Sequence, residues 1–316
     1  MSTSVEDRVA GSLLGLAAGD ALGLPLDGLT VYHVYRLYHA EIDGYFPDNR
    51  REKKTQAGTY GPQTFCAMVT AKHLAAGLTL ENLAAAEKVI AENQDRSKYE
   101  YQTHLSRAVA LGLAAGAVNL DAPGLRTLIK AMREQSSMDW LDSLCCLCVA
   151  SVICELVARP DQYKGPFDLY DGKQSLLARI CESCRIAENS HMEREKMVLR
   201  EELSARLEST RHKLRDTDCN MTRFVGIHGS GSDLPEIVAS SFYSYMRAPD
   251  SHETMFSAVS VGGAASLRGS LVGAMVGATL GLSIFPPGLK DDVINGPKII
   301  ETGVQLVKAL GPKEPI

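Results

Sequence analysis

Arg8-Val-Ala-Gly-Ser-Leu-Leu-Gly-Leu-Ala-Ala-Gly-Asp-Ala-Leu-Gly-Leu-Pro25 places glycine at positions 11, 15, 19 and 23, and a second ladder runs through Gly269, Gly273, Gly277 and Gly281. Residues four apart lie above one another on an α-helix, so each ladder makes a narrow stripe without side chains. An interior helical glycine costs roughly 1 kcal/mol relative to alanine. Eight of them together cost an amount comparable to the ~5–15 kcal/mol net stability of a domain. The offset expected is that both helices are central and are approached closely by other backbones. The flanking residues agree, since Ser12, Leu13, Leu22 and Leu24 match Ser270, Leu271, Leu280 and Leu282. Chance enrichment of two helices in glycine and alanine is the bland alternative.

Working outward, apolar residues recur three and four apart along most of the chain, and alternating β-branched runs are few. The pattern predicts an all-α fold, and the lack of a low-complexity linker keeps it in one domain over residues 1–316. Helices are expected near 6–23, 64–76, 80–92, 103–116, 122–134, 140–158, 174–215, 234–247, 252–260, 266–282 and 297–310. The stretch 190–213 is dense in charge, with Leu199, Leu203 and Leu207 as an apolar stripe, and reads as an exposed amphipathic helix packing back on the same domain. The polar loop 43–59 leads into the helix that starts near Gln63, a usual place for a site.

The 316 residues are 45% hydrophobic and carry a formal net charge of −5, enough apolar material for a large core and no general attraction to nucleic acid. Acidic Glu6 and Asp7 precede the first apolar stretch and Asp20 interrupts it, which is wrong for a signal peptide. A cytoplasmic protein is expected. The uncharged run from Gly269 to Gly288 has the length of a membrane span, but its N-terminal twin carries Asp20, and a core helix suits both copies better. The eight cysteines are expected to be reduced. Cys181-Glu-Ser-Cys184 is read as the lone CxxC pair, without a histidine at zinc-like spacing.

The opening helix, Thr59-Tyr60 followed by Thr64, Gly229-Ser-Gly-Ser-Asp-Leu-Pro-Glu236 with Phe242-Tyr-Ser-Tyr, and Val261-Gly-Gly263 before the second ladder resemble, in order, four motifs of the ADP-ribosylglycohydrolase superfamily. The resemblance covers roughly residues 6–290. It implies an all-α fold, a compact multi-helix orthogonal bundle, and, in the enzymes of the family, cleavage of ADP-ribose from a side chain or related leaving group by a pair of magnesium ions. Those ions are held by a Thr-Asp-Asp-Thr run and an Asp-x-Asp-Thr run. Magnesium demands octahedral oxygen ligands, and the metals orient the ribose and activate water.

Here the first run reads Gly61-Pro62-Gln63-Thr64 and the second Ala264-Ala265-Ser266-Leu267, with no carboxylate in either. Together with Asp20, the residues Gly61, Pro62, Gln63, Thr64, Ala264, Ser266 and Leu267 mark a vestigial cleft. No catalytic residue, no metal ligand and no cofactor is expected. Asp233, Glu236 and Asp250 are the acids nearest the later motifs, but Asp233 and Glu236 have the spacing of a capping box. His228 beside Gly229 is either a base or a solvated loop residue. Asp20 would be costly to bury unpaired, so a hydrogen bond or a basic partner is expected. Within the superfamily, Gly61-Pro-Gln-Thr-Phe65 with Ala71-Lys-His-Leu74 most resembles the jellyfish eye-lens crystallins, which implies a soluble structural role without enzymatic activity. The alternatives are a pseudoenzyme that binds ADP-ribose or another nucleotide, helped by backbone amides of Gly229-Ser-Gly231, and a hydrolase with altered chemistry.

Overall fold

The computed structural model describes residues 3–38, 42–48, 54–93, 103–136, 138–163, 165–195, 203–231 and 233–311. They form helices joined by turns, and the only β pairing among them is an isolated bridge between Asp48 and Thr55. In chain order the helices are α1 (Val5–Gly23), α2 (Val31–Tyr38), α3 (Pro62–Leu74), α4 (Leu80–Asn93), α5 (Thr103–Ala117), α6 (Ala122–Ser136), α7 (Trp140–Ala158) and α8 (Leu176–Glu195). They continue with α9 (Leu203–Leu214), α10 (Met221–His228), α11 (Leu234–Arg247), α12 (Glu253–Val259), α13 (Ala265–Leu280), α14 (Pro287–Asp291) and α15 (Gly296–Leu310).

The two glycine ladders face each other. Helices α1 and α13 run antiparallel, so that Gly11 meets Gly277, Gly15 meets Gly273, Gly19 meets Gly269 and Gly23 meets Ala265. A Cβ at Gly15 would fall 2.1 Å from the Gly273 carbonyl oxygen, and one at Gly19 would fall 2.0 Å from that of Gly269. No side chain fits between these backbones. Gly281 lies just past α13, at φ 75° as its C-cap, and a Cβ there would meet the Asp7 carboxylate. The same device recurs where α5 meets α7, with Gly112 against Ala150 and Gly116 against Val157, and where α15 meets α1, with Gly303 against Ala10. Dense backbone contact replaces the side-chain burial that glycine forfeits.

Every residue of α1 from Arg8 to Gly23 is buried, as expected of a helix apolar on all sides at the centre of a core. The stretch Val5–Leu26 and helix α7 are each long and apolar enough to cross a membrane, yet both sit in one contiguous hydrophobic core. The second ladder's helix, 16 residues long, is shorter than a span. Around the central pair stand α3, α5, α7, α11 and α15.

Several sequence expectations need correction. The predicted helix 174–215 is two helices, α8 ending at Glu195 and α9 beginning at Leu203; Leu199 lies outside the described residues. Leu203 and Leu207 are fully buried, because α9 packs its apolar stripe on α8 and α11. Helix α3 starts at Pro62 rather than Thr64, since proline suits the first turn, where no N–H is needed. Helices α2, α10 and α14 were not expected; each has eight residues or fewer, too short for a periodicity to register.

Candidate functional site

The antiparallel ladders decide where the two degenerate motifs meet. Gly23, near the end of α1, touches Ala265 at the start of α13, so Asp20, one turn earlier, lies beside that helix end. The start of α3 packs against the same turn of α1. Gly61, its N-cap, faces Asp20, and a Cβ there would approach Oδ1 to 2.9 Å. Asp20, Gly61, Pro62, Gln63, Thr64, Ala264, Ser266 and Leu267 are thus gathered at the ends of three helices.

Asp20 is fully buried. Its Oδ2 accepts hydrogen bonds from the Thr64 amide at 2.9 Å and the Thr64 hydroxyl at 2.8 Å. Oδ1 has no hydrogen-bond partner, and Asp20 makes no ion pair with an arginine or lysine among the described residues. Burial pushes the carboxyl up to about 7, while the Thr64 bonds and the nearby Gly61 amide pull the other way. Asp20 is thus a shared cap for α3.

The second motif is built alike. The Ser266 amide and hydroxyl donate to Asp27 Oδ1 and Oδ2 at 2.8 and 2.7 Å. Asp27 ends the short 3-10 turn Leu24–Leu26 that follows α1, and sequence reasoning missed it. Its signal was available in principle: an acid just after a glycine helix, close to a helix start without a capping residue of its own. Gln63 is 1% exposed, and its amide oxygen accepts from the Ser106 hydroxyl at 2.6 Å. Leu267 is fully buried and Ala264 nearly so.

Arg268 is the other residue that sequence reasoning passed over. Fully buried at the start of α13, it spreads its guanidinium over backbone carbonyls. Nη1 donates to Gly262 at 2.8 Å and Ala258 at 3.2 Å, Nη2 to Ser230 at 2.5 Å, and Nε to the Ser240 hydroxyl at 3.1 Å. Burial lowers its pKa to about 10, opposed by the charges of Asp27 and Glu236. Gly262 and Gly263 have φ of 67° and 65°, and the chain can fold back under the guanidinium because glycine accepts that region.

The other candidates do not converge on a catalytic pair. Asp233 caps α11, accepting from the Glu236 amide at 2.8 Å. Glu236 departs from a capping box by reaching further back, to the Gly231 amide at 3.1 Å. Its carboxylate fills the hollow of the Gly229–Gly231 loop, where a Cβ on Gly229 would strike it at 2.2 Å, so the amides a phosphate could use are already facing an internal anion. Arg206 lies near both acids, 3.8 Å from Asp233 and 4.0 Å from Glu236. Asp250 follows the opposite end of α11, roughly 20 Å away by helical rise, beside a separate recess. His228 contacts the Ser209 hydroxyl at 3.1 Å and the Phe224 ring, and its pKa is lowered by burial.

None of the eight cysteines forms a disulfide. Cys181–Cys184 is not the lone CxxC pair, because Cys145-Cys146-Leu147-Cys148 has the same spacing. Burial raises the pKa of Cys145, Cys146, Cys148 and Cys181, as for inert core thiols. No group of three histidines, cysteines or acids is placed to hold a metal ion among the described residues.

The family model described as ADP-ribosylglycohydrolase matches residues 1–315. The chain belongs to the ADP-ribosylglycohydrolase family. Among solved structures, one titled "ADP-ribosylglycohydrolase-related protein complex" matches over 98% of this chain and 99% of its own, with a TM-score of 0.60 and 18% identity; that likeness concerns the fold. No curated protein matches the sequence.

A member of this family is expected to hold two magnesium ions, and the residues present do not fit them. The ions require clustered, ionised oxygen ligands with free lone pairs. Asp20 supplies one buried carboxylate whose proton is bound up to about pH 7. The Ser266 hydroxyl and amide are committed to Asp27, and the Gln63 oxygen to Ser106. The polar atoms left in this ADP-ribosylglycohydrolase fold at the motif positions serve helix ends.

Proposed function

We propose that this ADP-ribosylglycohydrolase homologue is a non-enzymatic structural protein, a soluble cytoplasmic crystallin of the eye-lens type, working without magnesium, nucleic acid or membrane. One observation carries the reading: at both motif positions the ligand carboxylates are replaced and the remaining hydroxyls donate inward to carboxylates that cap the helix starts, Thr64 to Asp20 and Ser266 to Asp27. Loss at one position alone would leave half a centre. Loss at both, with the surroundings repacked by buried Gln63 and Leu267, is what is expected when the fold is retained and the chemistry is not selected.

The physical demands of the role are met. The central helices pack backbone to backbone, the net charge of −5 favours dispersion, and the thiols form no disulfide and are mostly buried. The pseudoenzyme reading has less support, because the Gly231 amide already donates to Glu236 and the Gly229 amide to the Val225 carbonyl.

The test is titration calorimetry of ADP-ribose with and without millimolar magnesium, paired with turbidity of the concentrated protein. No binding heat and a clear, monodisperse solution at very high concentration are expected. Magnesium-dependent binding would restore the enzyme reading, magnesium-independent binding would favour a nucleotide-sensing pseudoenzyme, and turbidity at modest concentration would oppose a crystallin.

A further inference from the structure

A groove of about 420 Å³ opens between α6, α7 and α8, remote in sequence from the vestigial cleft. Its volume falls within the usual range for small-molecule sites. Leu125, Leu144, Leu147 and Ile180 give it an apolar wall. Among the described residues the charged side chains in the lining are Arg126, Arg179 and Glu155, and all three gather at one end. Gly116, just ahead of α6, packs on Cys154 and Val157, which brings the start of α6 and Arg126 to the C-terminal end of α7. Arg179, in the first turn of α8, lies 3.7 Å from Glu155 near that same end.

The charges at this end do not balance. Glu155 is shared by Arg179, by Arg159 at 3.7 Å and by the Tyr163 hydroxyl at 2.7 Å. Arg126, exposed at the rim, has no carboxylate partner among the described residues. From there the apolar wall follows α7 back to Leu144, roughly 16 Å at 1.5 Å per residue. Just beyond, Trp140 stacks on His191 with ring centroids 4.1 Å apart and planes 5° apart.

We propose that this groove binds an amphipathic monocarboxylate, a fatty-acid-like anion whose aliphatic chain lies along α7 and α8 and whose carboxylate meets Arg126. A long apolar trough with one uncompensated guanidinium at its end matches that shape and charge. The guanidinium offers the fork geometry that suits a carboxylate. A neutral ligand would leave Arg126 unmatched, and a dianion would meet Glu155.

Sodium dodecanoate below its micelle concentration is the probe, followed by calorimetry and by fluorescence of Trp140, the single tryptophan of the chain. Saturable one-to-one binding that alters Trp140 emission is expected. Arg126→Glu should weaken it about tenfold, Ser183→Phe, which fills the groove from an exposed rim position, should abolish it, and 1-dodecanol should bind about tenfold more weakly than dodecanoate. Absence of saturable heat at millimolar dodecanoate, or unchanged binding in Ser183→Phe, would overturn the site. Wild-type binding by Arg126→Glu, or equal affinity for the alcohol, would overturn the anion assignment. Arg126 is on the surface, so its variant keeps the test valid if the phenylalanine variant fails to fold.

Discussion

Asp27 holds the Ser266 amide at 2.8 Å and its hydroxyl at 2.7 Å, so a carboxylate from the turn after α1 caps the helix that in the family's enzymes begins at a metal. Asp20 does the same for α3 through Thr64. Stability should therefore be indifferent to magnesium. An ion bound at a hundred times its dissociation constant would add about 2.7 kcal/mol, several degrees in Tm for a protein of this size. Thermal unfolding in 10 mM magnesium chloride and in EDTA should agree within a degree; a magnesium-dependent rise of several degrees would show a rebuilt site.

The glycine ladders invite a paired comparison. Gly15→Ala places a Cβ 2.1 Å from the Gly273 carbonyl oxygen, which only a shift of two central helices could relieve, and a loss above ~4 kcal/mol is expected. Gly226→Ala in α10 meets nothing within 4 Å and should stabilise by up to about 1 kcal/mol. Urea denaturation of both variants decides it. Similar small effects would mean that the ladders are not in close contact.

Much of this was legible in the sequence. Four-residue glycine spacing reports a bare helical stripe directly, so two central, closely approached helices could be read from Gly11–Gly23 and Gly269–Gly281, while their contact with each other is a tertiary fact. The missing carboxylates at Gly61–Thr64 and Ala264–Leu267 could be read only against the motifs of the family the chain resembles. What the sequence could not reveal was the partnership of distant polar atoms. Asp27 with Ser266, and Arg268 with the Gly262 and Ser230 carbonyls, are fixed by tertiary approach and leave no local pattern. Glu236 shows the limit well: its spacing from Asp233 fits a capping box, but the glycine loop's fold sends its carboxylate to Gly231 instead.

Arg268 is expected to be the most sensitive charged residue outside the ladders. Arg268→Met would take the guanidinium from the Gly262 and Ala258 carbonyls, while Ser230 keeps the Ala264 amide, at a cost of ~2–5 kcal/mol given about 1–3 kcal/mol for each buried orphan. Arg268→Lys keeps the charge but cannot span the same acceptors and should recover less than half of the loss. Denaturant midpoints equal to wild type for both variants would mean that the carbonyls find other partners.

Two buried groups with opposed titrations make the last prediction. Asp20 ionises near 3.8 when solvated and near 7 in the fold, chiefly because burial disfavours its charge. The folded protein keeps this proton where the unfolded chain has lost it, so the Asp20 contribution to stability falls as pH rises from about 4 to 7. His104 moves the other way. Burial first, and then Arg107, lower it from 6.5 to about 4, so the unfolded chain is the one that takes up the proton, and stability rises with pH over 4 to 6.5. Asp142, raised to about 6 mainly by burial, sides with Asp20. In wild type these slopes partly cancel. Asp20→Asn removes one of them, and its Tm relative to wild type should climb by several degrees between pH 4 and 7.5, the upper bound being about 4 kcal/mol for a three-unit shift. A Tm difference that stays level across that range would mean that Asp20 ionises in the fold as it does in water, and that its carboxylate is reached by solvent or by a cation after all.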